Sequence, residues 1–275
     1  MKSPDDALPS DAGALQVKPL GADRSEPRRP VPRDFTHVGN FTGYMQVVLR
    51  LLETEKPGQK TLDIPAGNGL LAARLRERGH TVVCADINRE KPDYVLADMN
   101  ERLPFANAEF DAVVCLEGLE HTLDPASLIA ELCRVTRPGG RIVLTVPNIH
   151  SLFSRVKFLC TGSFYQFSPW GSVPRARGER KDRGHISSFS YHQLRYLFDY
   201  NGARLVTVAG DRWKKKWLIP FLLPAVGLGW FWMQRELARQ RQVPVEQGRA
   251  MLRDLFSPPA LFSRSLVLGF AKAGD

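Results

Sequence analysis

A chain of 275 residues with 43% apolar side chains can bury the core of one domain carrying insertions, or of one domain with a small appendage. The four cysteines (Cys84, Cys115, Cys133, Cys160) form no C-x-x-C pair and read as reduced thiols of a cytosolic protein, and no apolar h-region opens the chain, so no secretory signal is expected. A formal charge of +9 points toward a polyanionic partner: nucleic acid, anionic lipid or a phosphorylated substrate.

Residues 1–34 are rich in proline and charge and poor in large apolar side chains, the composition of a disordered leader. Phe41–Glu53 carries Tyr44, Val47, Val48, Leu51 and Leu52 at helical spacing, which predicts a helix lying over a ligand cleft. From Thr61 strand and helix patterns alternate, as in a doubly wound parallel sheet. Thr61–Asp63 reads as a buried strand ending in an acid, followed by a glycine loop and a helix over Leu70–Arg78 closed by Gly79. Gly67-x-Gly69-x-x-Ala72 also fits a dinucleotide fingerprint, so the glycines alone leave the ligand open. Asp63 tips the balance, because a carboxylate there repels a pyrophosphate and suits an ammonium and a sulfonium. Thr81–Ala85 is the next strand, and Asp86 follows it, 17 residues beyond Gly69, where an acid accepts two ribose hydroxyls.

Tyr94–Ala97 and Phe110–Leu116 are further strands, the second apolar enough to be central. Asp124-Pro125 pairs an N-cap acid with proline at the first helical position, and Leu128, Ile129, Leu132 and Val135 form the buried face of that helix. Pro138–Gly140 reads as the turn into a strand Arg141–Val146. Residues 151–184 interrupt the alternation with aromatics and the basic run Arg175–Arg183, a lid or binding loop. Ser190 caps a helix Tyr191–Tyr200, and Leu205–Val208 is a sixth strand.

Lys214–Lys216 then precedes Trp217–Gln234, 18 residues without a charge. As a helix that run spans about 27 Å, short of a hydrocarbon core of about 30 Å, and Pro220, Pro224, Gly227 and Gly229 weaken its continuity. We expect an interfacial or hairpin-like element resting on anionic lipid, with a buried helical hairpin as the alternative. Ser265–Ala271 reads as a last strand, antiparallel, at the sheet edge.

Leu62–Gly69, Asp86, Ala97–Met99, Phe110–His121 and Arg137–Asn148 together resemble, in order and spacing, the Rossmann-like class I S-adenosylmethionine-dependent methyltransferases (the type 11 group). The resemblance covers residues 35–210 and implies an α/β three-layer seven-strand sheet; the residues themselves add a hydrophobic and basic insertion at 211–264 before the final strand within 265–275. Pro65 departs from the pattern, standing where the family has its first loop glycine. The cofactor implied is S-adenosyl-L-methionine. Asp63 and the Ala66, Gly67 and Gly69 backbone would hold its amino-acid end, Asp86 the ribose, and Asp98 the adenine amino group. Ile87 and Met99 would flank the ring, and Leu116 would border the methyl. Read singly, Asp98 is also an ordinary turn residue.

Glu117, Glu120 and His121 stand at i, i+3 and i+4, facing one point if the stretch is helical. They are similar to a cluster in ubiquinone-pathway O-methyltransferases and in small-RNA 2′-O-methyltransferases, where it binds a divalent metal, with His185 as a fourth ligand in the RNA case. The reading adopted is metal-free, with His121 as base and Glu117 beside it; Glu117, Glu120, His121 and His185 are the candidate ligands should a metal bind. His185 can equally cap the Ser187–Ser190 turn. The acceptor expected is a small or lipid-linked molecule (isoprenoid or glycolipid-type) methylated on oxygen. The protein would be cytoplasmic and peripheral on a membrane face, with oligomeric state open. An RNA 2′-hydroxyl is the first alternative and a nicotinamide-dependent oxidoreductase the second.

Overall fold

The computed structural model describes residues 39–53, 58–88, 91–167, 184–213, 217, 219–240 and 243–274. The expected leader at 1–34 and the basic run at 175–183 lie outside them. Helix α1 (Gly43–Leu52) is followed by β1 (Lys60–Asp63), α2 (Leu70–Glu77), β2 (Thr81–Asp86), β3 (Val95–Leu96) and β4 (Phe110–Leu116). One 3₁₀ turn at Leu119–His121 leads into α3 (Pro125–Val135), β5 (Thr136–Pro147), α4 (Leu152–Thr161), α5 (Tyr191–Tyr200) and β6 (Ala203–Gly210). Helices α6 (Ile219–Arg239), α7 (Val245–Leu255) and α8 (Pro258–Phe262) then precede β7 (Ser265–Lys272).

The seven strands order as β3-β2-β1-β4-β5-β7-β6, with β7 antiparallel to both neighbours. Period-two alternation sends successive side chains of β4 to opposite layers. Val113 and Cys115 pack with Leu128, Ile129 and Leu132 of α3 and Phe198 of α5. Ala112, Val114 and Leu116 pack with Val48 and Leu52 of α1 and Leu71 and Leu75 of α2. This is the three-layer α/β sheet that the sequence pattern implied. Asp124 caps α3 as expected, its carboxylate accepting from Ser127 N at 3.1 Å and Ser127 Oγ at 2.6 Å.

Three expectations need correction. The last strand is not at the edge: β7 lies between β5 and β6, because Leu266–Phe270 are buried on both faces and find ladder partners on both sides. Pro138–Gly140 is not a turn before β5 but a bulge inside it, where the register jumps from Phe110↔Thr136 to Ala112↔Arg141. A Cβ on Gly140 would lie 2.7 Å from the Asp111 carbonyl oxygen, so the bulge needs glycine there. The 18-residue apolar run is not broken into a hairpin of its own, since α6 is one helix with Pro224 inside it. Pro220 falls in the first turn, whose N–H groups have no helical partner anyway, and Pro224 forfeits a bond just beyond it. No residue of α6 is buried within the chain, so it does not pack as a core hairpin on the catalytic domain. No helix among the described residues is long and apolar enough to cross a membrane.

Candidate cofactor and acceptor site

Strands β1 and β4 are neighbours, yet the chain leaves β1 for α2 on one face of the sheet and leaves β4 for α3 on the other. A crevice opens at such a switch point, beyond the carboxyl ends of the strands. Asp63 ends β1 there, only 2% exposed. Its Oδ2 is buried without a hydrogen-bond partner among the described residues. Burial foremost, and then the Asp86 carboxylate, push the Asp63 pKa up to about 7, while Arg76 acts in the opposite sense. A buried acceptor lacking a donor is costly unless something supplies one, and a ligand ammonium would do so.

The loop after Asp63 is tied down by backbone bonds: Ala66 N donates to Ala85 O at 2.9 Å and Gly69 N to Ala66 O at 2.9 Å. Gly67 and Gly69 adopt φ of 52° and 75°, the left-handed region. A Cβ on Gly69 would lie 2.5 Å from Tyr94 Oη, so only glycine fits against that ring. Pro65, the departure from the pattern, is accommodated by another glycine: a Cβ on Gly118 would stand 2.5 Å from Pro65 Cδ. Asp86 accepts from Gly67 N at 2.8 Å through Oδ2 and from Asn88 N at 2.9 Å through Oδ1. Each carboxylate oxygen has two lone pairs, so the acid holds the loop while retaining acceptor capacity for a diol. An orphaned acid, a cradle closed to any Cβ and a second acid at the next strand tip fit S-adenosylmethionine.

Asp98 behaves as the turn residue it also resembled, its Oδ1 accepting from Asn100 N and Nδ2, both at 3.0 Å. Met99 is half-buried and packs on the core face, and Ile87 is half-buried beside Asp86.

Leu116, at the tip of β4, is 8% exposed. The next residue, Glu117, adopts φ 47°, and its N–H donates to Thr145 Oγ1 at 2.9 Å. That left-handed residue and the 3₁₀ turn replace the helical turn expected for Glu117–His121. Glu120, His121 and His185 consequently bring ligand-type atoms within 4.8 Å of one another, and Glu117 falls outside that group. His185 arrives because Ile186 N and Ser187 N donate to Glu120 O at 2.9 and 3.0 Å. The helix that follows is capped by other residues. Ser190 Oγ accepts from Gln193 N at 3.1 Å, and His150 Nε2 accepts from Tyr191 N at 2.7 Å. Burial, with Arg155 and His192 nearby, lowers the His150 pKa to about 4, keeping it the neutral acceptor that bond requires.

Glu120 is fully buried, and neither carboxylate oxygen has a hydrogen-bond partner among the described residues. Its pKa is driven well above the ordinary carboxylate range by burial and then by Glu117. Burial raises Glu117 too, opposed by Arg264, Thr145 and Ser265. Tyr44 of α1 completes the cover: burial raises its pKa, and both glutamates add to the rise. The sequence picked out Tyr44 as one member of a helical face, without a chemical role. Arg264, Thr145 and Ser265 carried no signal at all, since they reach the site only through the pairing of β5 with β7. His121 and His185 meet edge to face with centroids 4.9 Å apart, and Phe167 abuts His185 at 5.6 Å.

A seven-strand sheet of this order, with acids at consecutive strand tips around a glycine loop, defines a class I S-adenosylmethionine-dependent methyltransferase. The chain belongs to the methyltransferase domain family, whose model matches residues 38–208. That membership sets aside the nicotinamide-dependent alternative. Demethylmenaquinone methyltransferase of Paenarthrobacter aurescens is 32% identical over 128 residues, 43% of this chain and 50% of that protein. Ubiquinone biosynthesis O-methyltransferase of Thiobacillus denitrificans is 33% identical over 116 residues, 36% of this chain and 50% of that protein. The chain thus spans about half the length of these relatives. Among solved structures, a SAM-dependent methyltransferase from Archaeoglobus fulgidus shares the fold at 18% identity and TM-score 0.52, over 83% of this chain and 93% of that one.

Proposed function

We propose that the chain transfers the methyl group of S-adenosylmethionine to an oxygen of a lipid-linked, isoprenoid or glycolipid-type small molecule on the cytoplasmic face of a membrane. The observation that carries the reading is α6, an apolar helix of 21 residues with no buried residue, inserted in a methyltransferase chain before its last strand. Phe221 is 77% exposed and Trp232 74% exposed, and basic residues stand at both ends of the apolar run, which suits anionic lipid. The names of the relatives, which concern menaquinone and ubiquinone, support an acceptor of quinone type.

When bound, S-adenosylmethionine supplies an electrophilic methyl on a sulfonium. Asp63 and the Ala66–Gly69 backbone would hold the amino-acid end, Asp86 would accept from the ribose hydroxyls, and Asp98, Ile87 and Met99 would border the adenine. Leu116, at the tip of β4, would border the methyl. His121 accepts the proton of the acceptor hydroxyl, and Glu117, flanked by Thr145 and Ser265, orients that hydroxyl for in-line attack. The test combines liposome flotation with transfer of labelled methyl into organic-extractable lipid. Binding to anionic vesicles should fall about tenfold in the double variant Phe231→Ser/Trp232→Ser. Absence of flotation, or label confined to the aqueous phase, would remove the membrane reading.

The convergence of Glu120, His121 and His185 favours a second reading, a divalent cation beside the acceptor, as in enzymes acting on RNA ends. Three donors of carboxylate and imidazole type fit such an ion, and the two orphaned Glu120 oxygens would gain a partner. Metal analysis of the purified chain, together with chelator-sensitive methylation of RNA 3′ ends, decides for it.

A further inference from the structure

The loop that follows α4 carries a file of aromatic rings reaching the candidate base. Phe158 of α4, 45% exposed, stacks on Phe164 at 4.3 Å, and Phe164 meets Phe167 edge to face at 6.5 Å. Phe167 stands 5.6 Å from the ring of His185, itself 4.9 Å from that of His121. A single imidazole therefore separates Phe167 from His121. Among the described residues Phe167 packs with neither layer of the core and is only half-buried, whereas a ring that merely fills the interior would be enclosed by the apolar side chains of sheet and helices.

Side-chain and backbone bonds fix the loop. Lys157 Nζ donates to Phe164 O at 2.9 Å, Tyr165 N to Ser154 Oγ at 3.0 Å, and Phe167 N to Phe164 O at 3.2 Å. Ser163 Oγ donates to Phe167 O at 2.8 Å. Gln166 Nε2 donates to Arg264 O at 3.2 Å, tying the loop to the residue that precedes β7. Gln166 also holds φ at 69°, a left-handed backbone that a residue with a Cβ adopts only at a cost. Glycine would take that conformation freely but has no amide to reach Arg264. The tie, and not the local conformation, accounts for glutamine at the position next to Phe167.

We propose that Phe167 determines specificity by packing its ring against a flat, phenol-type ring of the acceptor whose hydroxyl lies at His121, and that Gln166 positions Phe167 for that contact. Aromatic pairs favour edge-to-face or offset packing at centroid spacings of about 4.5–7 Å, the arrangement these rings already show, and a puckered sugar or alicyclic ring has no π system to extend it. This narrows the proposed acceptor to one with an aromatic head. The inference rests on the reading of a hydroxyl acceptor but concerns ring selection, so it is tested by binding, without methyl transfer. NMR titration of the full chain, saturated with S-adenosylhomocysteine, would compare phenol with cyclohexanol, following imidazole C–H signals assigned with His121→Gln and His185→Gln. Phenol should bind about three- to tenfold tighter, the scale of one aromatic pair, and shift the imidazole signals by its ring current. Phe167→Leu should bring phenol to the level of cyclohexanol while leaving the affinities for cyclohexanol and S-adenosylhomocysteine unchanged, and Phe167→Tyr should keep the preference. Gln166→Gly, which relieves the backbone and deletes the tie, should lose it. Equal wild-type affinities, phenol binding that leaves the imidazole signals in place, an undiminished preference in Phe167→Leu, or equal loss of both alcohols there overturns the role of Phe167. A preference retained in Gln166→Gly overturns that of Gln166. Ring selection in a protein that methylates no hydroxyl would leave the ring contact standing and sink the acceptor reading instead.

Discussion

Asp63 makes cofactor affinity depend on pH in a calculable way. Its pKa of about 7, against 3.8 for an ordinary aspartate, means that ionising it in the folded protein costs on the order of 4 kcal/mol. The shift is upward for an acid, so the penalty is absent below the unfolded pKa and grows as pH rises, reaching its full size above about 7. A cationic ligand end needs the ionised form. The ionised fraction rises from about 9% at pH 6 to about 91% at pH 8 for a group titrating near 7, so apparent affinity should rise about tenfold across that interval. Calorimetry with S-adenosylhomocysteine at pH 6, 7 and 8 measures this directly. Asp63→Asn should flatten the dependence, bind more weakly at pH 8, and raise the Tm of the ligand-free protein at that pH by several degrees. A wild-type affinity that does not change with pH, or the same change persisting in Asp63→Asn, would refute the assignment.

Asp86→Ala removes the acceptor for Gly67 N and Asn88 N as well as the ribose partner, and should weaken S-adenosylhomocysteine binding at least about 100-fold by calorimetry. Equal affinity in that variant would remove the ribose role. His121→Ala should leave that binding within about twofold while turnover falls about 10²- to 10⁴-fold in a methyl-transfer assay, as expected for loss of a general base. Gly118→Ala drives a methyl into the Pro65 ring and should cost about 1–3 kcal/mol by denaturant titration, with weaker cofactor binding from the displaced loop.

The candidate cofactor half of the site was legible as an arrangement because every part of it is local: an acid at a strand tip, a glycine loop and another acid one strand later. Such features need only the chain order to meet in space. The acceptor half was not, because Arg264 and Ser265 join Glu117 across a ladder that pairs residues more than 110 positions apart. Glu117 itself was misplaced by assuming a helical turn, where the strand in fact ends in a left-handed residue and a 3₁₀ turn. The apolar run before β7 looked too rich in proline and glycine for one helix. Pro220 falls in the first turn, where it costs little, Pro224 inside the helix costs about 3 kcal/mol, and two glycines add about 1 kcal/mol each, none of which breaks the helix. The place of β7 was missed for a related reason, since strand count and direction do not say which strand takes the edge.

Strand β6 is attached to the sheet through β7, which is made more than 50 residues later. During synthesis, then, β5 and β6 must wait with unpaired edges while the whole apolar length of α6 leaves the ribosome between them and their common partner. The longest apolar stretch of the chain is thus made before the strand that closes the sheet, so sheet closure is a late, non-local step of its folding.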